Sequence, residues 1–106
     1  MKLGVIISVS DAETAWNAFR LANHAISKGD DVTVFLVGGG VDYLDSSAKP
    51  FDSVLEADKL VKAGGRMMAC GTCLKLRNKP GSNVCPLSSM DDLYRLVAES
   101  DKIVSF

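Results

Sequence analysis

Leu3-Gly4-Val5-Ile6-Ile7-Ser8-Val9 is a short apolar run rich in β-branched residues, without the polar alternation of a half-exposed strand. A run of that length and composition reads as a strand buried on both faces. Ser10 and Glu13 follow with the spacing of a capping box, and Ala15, Phe19, Ala22 and Ile26 recur at helical intervals. A helix is therefore expected from Ser10 to about Lys28, where Gly29 stops it. Residues 32–37 repeat the buried-strand pattern and end in Gly38-Gly39-Gly40. After a short helix near residues 41–45, Pro50 and Asp52 open another, with Val54, Ala57, Leu60 and Val61 on one side and Gly64-Gly65 closing it. Residues 66–70 are a third strand and 73–78 a helical turn broken at Pro80-Gly81. Residues 79–88 form a loop, Ser89 and Asp92 cap a last helix whose buried face is Met90, Leu93, Tyr94 and Val97, and residues 102–106 form the final strand.

Strands alternating with helices at these lengths imply a mainly parallel sheet of four to five strands, joined by right-handed crossovers and covered on both faces. The fold class is α/β: a doubly wound, three-layer α/β/α domain of flavodoxin-like type, occupying residues 1–106 as one unit. The expected order of the four clear strands is 2-1-3-4. That order sets the switch point between the first and third strands, with Ser8-Val9-Ser10 facing Cys70-Gly71-Thr72-Cys73 across the crevice.

The chain has 106 residues, 47% of them hydrophobic and 24% charged, enough for a core without disulfide staples. No apolar run approaches the roughly 18 residues of a membrane span, and Met1-Lys2 runs straight into Leu3-Gly4-Val5-Ile6-Ile7 with no small-residue cleavage site. The expectation is a soluble cytoplasmic protein without membrane association. Three cysteines, an odd count, do not make a disulfide framework.

Charge is unevenly spread. Between Asp58 and Asp91 there is no acidic residue, while Lys59, Lys62, Arg66, Lys75, Arg77 and Lys79 give that stretch +6; the remainder carries −7. All three cysteines, Cys70, Cys73 and Cys85, lie inside it. The stretch has no Phe, Tyr or Trp on which a base could stack, which argues against nucleic acid as a partner. Two readings stay open: an electropositive site for a small anion or a thiolate, or charges that merely solvate two surface helices.

A Cys-x-x-Cys between strand and helix has a physical consequence, because free N–H groups and the helix dipole favour a thiolate there. Cys70 and Cys73 are the candidate catalytic residues. Ser8, Ser10, Gly71, Thr72, Lys75 and Arg77 are the candidate substrate contacts. Three chemistries use such a pair: dithiol–disulfide exchange, metal binding and carriage of sulfur as a persulfide. A zinc site would need Cys70, Cys73, Cys85 and His24 together, but His24 falls on the polar side of the first helix with Asn17 and Lys28. No metal is therefore assigned. No cofactor is assigned either, since Gly38-Gly39-Gly40 lacks the spacing of a phosphate-binding fingerprint and reads as a turn. Cys70 read blandly is a small buried strand residue, and Cys85 a loop residue packed beneath its proline.

In order along the chain, Leu3-Gly4-Val5-Ile6-Ile7, Val34-Phe35-Leu36-Val37-Gly38-Gly39-Gly40-Val41, Met68-Ala69-Cys70-Gly71-Thr72-Cys73-Leu74-Lys75-Leu76-Arg77 and the closing Ser100-Asp101-Lys102-Ile103-Val104-Ser105-Phe106 resemble the DsrE/DsrF/TusD family of small sulfur-relay proteins. The resemblance implies an α/β/α subunit assembled into homo-oligomers, trimers or hexamers, and a persulfide-carrying cysteine just after the third strand. That position falls on Cys70, and Arg77 matches the basic residue seven places on. Two departures stand out: the second cysteine at Cys73, and Arg77-Asn78 where Arg-Gly is common. The resulting expectation is a cytoplasmic, sulfurtransferase-like carrier exchanging sulfur with donor and acceptor proteins. Cys70 accepts sulfur with a thiol pKa below the roughly 8.5 of a free cysteine, Cys73 resolves or releases it, and Lys75 and Arg77 steady the charge. A structural or zinc-binding oligomer, or a Cys70–Cys73 redox protein, is the alternative.

Overall fold

The apolar runs become strands: β1 (Lys2–Ile7), β2 (Asp31–Leu36) and β3 (Arg66–Cys70), in a computed structural model that describes residues 1–83 and 85–106. Two more strands complete the sheet, β4 (Leu87–Ser88) and β5 (Lys102–Ser105). β4 falls inside the expected 79–88 loop, of which Val84 lies outside the described residues. The helices are α1 (Ala12–Ser27), α2 (Tyr43–Ser46), α3 (Ser53–Lys62), α4 (Gly71–Leu76) and α5 (Met90–Glu99), with a 3-10 turn at Gly38–Asp42. The fold is the three-layer α/β/α arrangement, with α1 and α3 packed together on one face and α5 on the other. Among the described residues no helix is long and apolar enough to cross a membrane.

One face is sealed. Val5, Ile7, Val32, Val34 and Leu36 point toward α1 and α3, and with Phe19 and Leu60 they are almost wholly buried. Each such side chain contributes about 1.5–3 kcal/mol. The α1 stripe holds as expected, but the helix is capped by Asp11, whose carboxylate accepts the Thr14 N–H at 2.9 Å, and not by Ser10. Asp11 stands three residues before Thr14, the spacing that lets a short acid reach the first turn.

All strands are parallel, in the order β4-β3-β2-β1-β5. The expected 2-1-3-4 order is therefore wrong: β2 separates β1 from β3. The first three crossovers step the same way along the sheet, and only the last carries the chain through α5 back to β1. Gly4 makes room for that return, since a Cβ there would lie 2.5 Å from Ile103 Cδ1 and 3.2 Å from Leu96 Cγ. The expected buried face of α5 is also corrected. The Ser89–Asp92 capping box forms, and Leu93 and Leu96 pack against the core, but Met90, Tyr94 and Val97 are 66%, 69% and 50% exposed. Among the described residues α5 is the sole helix packed on its face, and its contacts run to β1 through Leu96. It leaves Thr33, Arg66 and Met68 along a cleft of about 220 Å³ opposite Asp92 and Arg95.

Candidate functional site

β3 ends at Cys70 and the chain turns at once into α4, whose first residue is Gly71, two before the expected start. Cys70 consequently takes the capping position, and its Sγ accepts the Cys73 N–H at 3.4 Å. Three-residue spacing is what this geometry requires: the cap side chain reaches the N–H three positions on. Cys-x-x-Cys thus brings both sulfurs to one turn, as cap and third helical residue. Gly71 fits closely under β4, where a Cβ would sit 3.2 Å from the Ser88 carbonyl oxygen. Buried Leu74 anchors α4 to the core, while Thr72 and Lys75 face solvent.

From the opposite side, the Gly38 N–H donates to Cys73 Sγ at 3.2 Å. Gly38 has φ +55°, a conformation that costs glycine little. Its two neighbours pack against the end of β1: a Cβ on Gly39 would meet Ser10 N at 3.0 Å, and one on Gly40 would collide with the Ile7 carbonyl. The glycine run therefore fills the place expected for Ser8-Val9-Ser10. Because β2 lies between β1 and β3, the cysteines face the β2 turn, and the serines stand behind it. Ser8 spends its hydroxyl on the Phe106 carbonyl at 2.9 Å.

The basic stretch is not a free positive patch. Arg77 Nε binds Asp42 Oδ2 at 3.1 Å, and Lys79 Nζ binds Asp42 Oδ1 at 2.7 Å and also pairs with Asp45. Arg66 pairs with Asp31 and Lys59 with Glu56. Acids outside the stretch fold onto its cations, which sequence distance concealed. Arg77 still serves the site, since its Nη1 donates to the Cys73 carbonyl at 3.2 Å. Asp42, held below the usual carboxylate range by Lys79 and then Arg77, positions both cations. The sequence reading takes Gly38-Gly39-Gly40 as a turn and assigns neither Gly38 nor Asp42 to the site; three consecutive glycines are the one signal of close backbone approach.

The two thiols differ in charge preference. Burial pushes Cys70 above the ordinary thiol range, and the neighbouring Cys73 sulfur adds to this. Cys73 is pulled below that range, first by the adjacent Cys70 thiol, then by the Gly38 N–H, with a smaller contribution from the Arg77 charge. The expectation of a depressed Cys70 pKa is corrected: a helix cap on a nearly buried sulfur loses more to desolvation than it gains from the Cys73 and Thr72 N–H groups. Cys85 is buried in the core, and burial alone pushes its thiol up to about 11. Among the described residues no three His, Cys, Asp or Glu side chains gather as a metal cage, and His24 is exposed on α1.

A model of the DsrE/DsrF-like family matches residues 1–106. The chain is 32% identical to the uncharacterized protein MJ0989 of Methanocaldococcus jannaschii, over all of both chains. It is 31% identical to the uncharacterized protein MK0008 of Methanopyrus kandleri, over 96% of this chain and 93% of that one. In three dimensions it is similar to the ychN protein from E. coli, with a TM-score of 0.82 and 18% identity across all of both chains. It is also similar to BT1422 from Bacteroides thetaiotaomicron, a conserved protein of unknown function, with a TM-score of 0.79 and 18% identity over 99% of this chain and 94% of that one. At those identities the structural likeness speaks for the fold alone.

Proposed function

Because the chain belongs to the DsrE/DsrF-like family, which is generally related to sulfur relay, we propose that it is a sulfurtransferase-like carrier whose Cys70–Cys73 turn takes sulfane sulfur from a donor persulfide and passes it to an acceptor thiol. The observation that carries this reading is the pair of hydrogen bonds meeting at the turn, Gly38 N–H to Cys73 Sγ and Cys73 N–H to Cys70 Sγ. Backbone donors stabilise a sulfur anion without supplying a competing nucleophile. In the transfer, a thiolate of the pair attacks the terminal sulfur of the donor R–S–SH. The donor S–S bond breaks, R–S⁻ leaves with the electron pair, and the carrier holds a persulfide. An acceptor thiolate then repeats the attack and restores the carrier thiolate.

Assembly into a homo-oligomer, trimer or hexamer, belongs to the same proposal. Met90, Tyr94, Val97 and Leu87 leave apolar surface exposed beside the half-covered sheet face, which supports it. A cytoplasmic location, where thiols stay reduced, belongs to the same proposal. The test is the mass of the protein isolated from cells without reductant: about +32 Da per added sulfur supports the carrier. A shift of about −2 Da, from a Cys70–Cys73 disulfide, supports dithiol exchange instead.

A further inference from the structure

We infer that Cys73 is the sulfur that attacks the donor, that Cys70 is retained as a buried thiol beside it, and that the Gly38 N–H completes the site. This assignment rests on the carrier reading and refines it. It reverses the roles implied by family resemblance, in which the cysteine ending the third strand carries the sulfur.

Access favours Cys73, which is half-buried, over Cys70, which is 8% exposed. So do the donors. Cys73 Sγ faces Gly38 N at 3.2 Å from the β2 turn, and the guanidinium of Arg77 is tied to the Cys73 carbonyl on the same helical turn. Cys70 Sγ has the Cys73 N–H at 3.4 Å and the Thr72 N–H beside it, and otherwise sits in the core cluster. One proton shared between two adjacent sulfurs settles on the one that water reaches least.

The arrangement has a consequence for the loaded state. When Cys73 thiolate takes the terminal sulfur of R–S–SH, R–S⁻ departs and Cys73 Sγ becomes a neutral, weak acceptor. Cys70 then has no anion to serve, and burial keeps it protonated. Attack by Cys70 on Cys73 Sγ would expel HS⁻ and close a disulfide, but it requires Cys70 as thiolate. At neutral pH the persulfide is therefore protected. As pH rises into the range where Cys70 ionises, it collapses with release of sulfide.

The test is iodoacetamide labelling of the full-length protein with peptide mapping, which needs no sulfur donor, followed by loading with glutathione persulfide. Near pH 7, Cys73 is expected to be labelled severalfold faster than Cys70, which is 8% exposed. Cys70→Ala is expected to slow labelling of Cys73, while Cys70→Ser, which keeps a donor hydroxyl, preserves it. In NMR the Gly38 amide proton is expected to titrate with Cys73 and to stop titrating in Cys73→Ser. Faster labelling of Cys70, or a Gly38 amide indifferent to Cys73→Ser, overturns the assignment. Sulfur found on Cys70 with Cys73 bare overturns it while sparing the carrier reading. Sulfur on neither cysteine overturns the carrier reading itself.

Discussion

Cys73 and Cys85 stand twelve positions apart in the same acid-free stretch, and a reader of the sequence would give both the same basic surroundings. The fold separates them. Cys73 sits at the mouth of a strand-to-helix turn with a backbone N–H aimed at its sulfur, whereas Cys85 is packed into the core with its thiol pushed up to about 11. Formal charge nearby does little for either, because Asp42 and Asp45 occupy the closest cations. Burial and oriented dipoles, more than the count of lysines and arginines, decide which cysteine has chemistry.

The largest effect that separates the two regions is expected from Cys73→Ser, which should lower sulfur uptake from a persulfide donor by at least about a hundredfold, since a hydroxyl stays protonated where a thiolate forms. Radiolabelled sulfur bound per subunit measures it, and uptake near that of the unchanged protein would erase the contrast. A smaller effect is expected from Asp42→Asn. Removing that negative charge releases Arg77 toward Cys73 and should raise Cys73 labelling at neutral pH about two- to threefold. The sign with pH follows from the depressed Asp42 carboxyl: its pairing is present above the ordinary carboxylate pKa and is lost only as pH falls through the lower folded value. Labelling rates in unchanged protein should therefore show no Asp42 transition near neutrality. The smallest effect on sulfur uptake is expected from Cys85→Ser, which should leave loading unchanged while costing about 1–3 kcal/mol of stability for a hydroxyl placed in the core. Chemical denaturation reads the cost, and a loss of loading without loss of stability would make Cys85 part of the site.

β1 and β2 were legible as short apolar runs rich in β-branched residues, and β3, which has none, from its apolar Met67-Met68-Ala69-Cys70 between Gly64-Gly65 and the next helical turn. Their order was not, because the direction of each crossover depends on packing between distant segments, here the space that Gly4 leaves for Ile103 and Leu96. Helix α5 shows the same limit: its apolar positions are plain in sequence, but which of them meet the sheet depends on how the helix leans, and Met90 and Tyr94 turned outward. At the site, the Cys-x-x-Cys between strand and helix was legible, but the expected turn at 73–78 begins at Gly71, which makes Cys70 its cap. The partner turn was not foretold, since Gly38 comes 35 residues earlier and meets Cys73 only because β2 lies beside β3. The cancelling of Arg77 and Lys79 by Asp42 was hidden for the same reason.

The most direct test of the central claim is fragmentation mass spectrometry of the protein loaded with glutathione persulfide and analysed without reductant. The predicted result is one added sulfur, about +32 Da, on the fragment carrying Cys73, with Cys70 and Cys85 unmodified at neutral pH and sulfide released on raising the pH. Protein that emerges with no added mass on any cysteine would contradict the account.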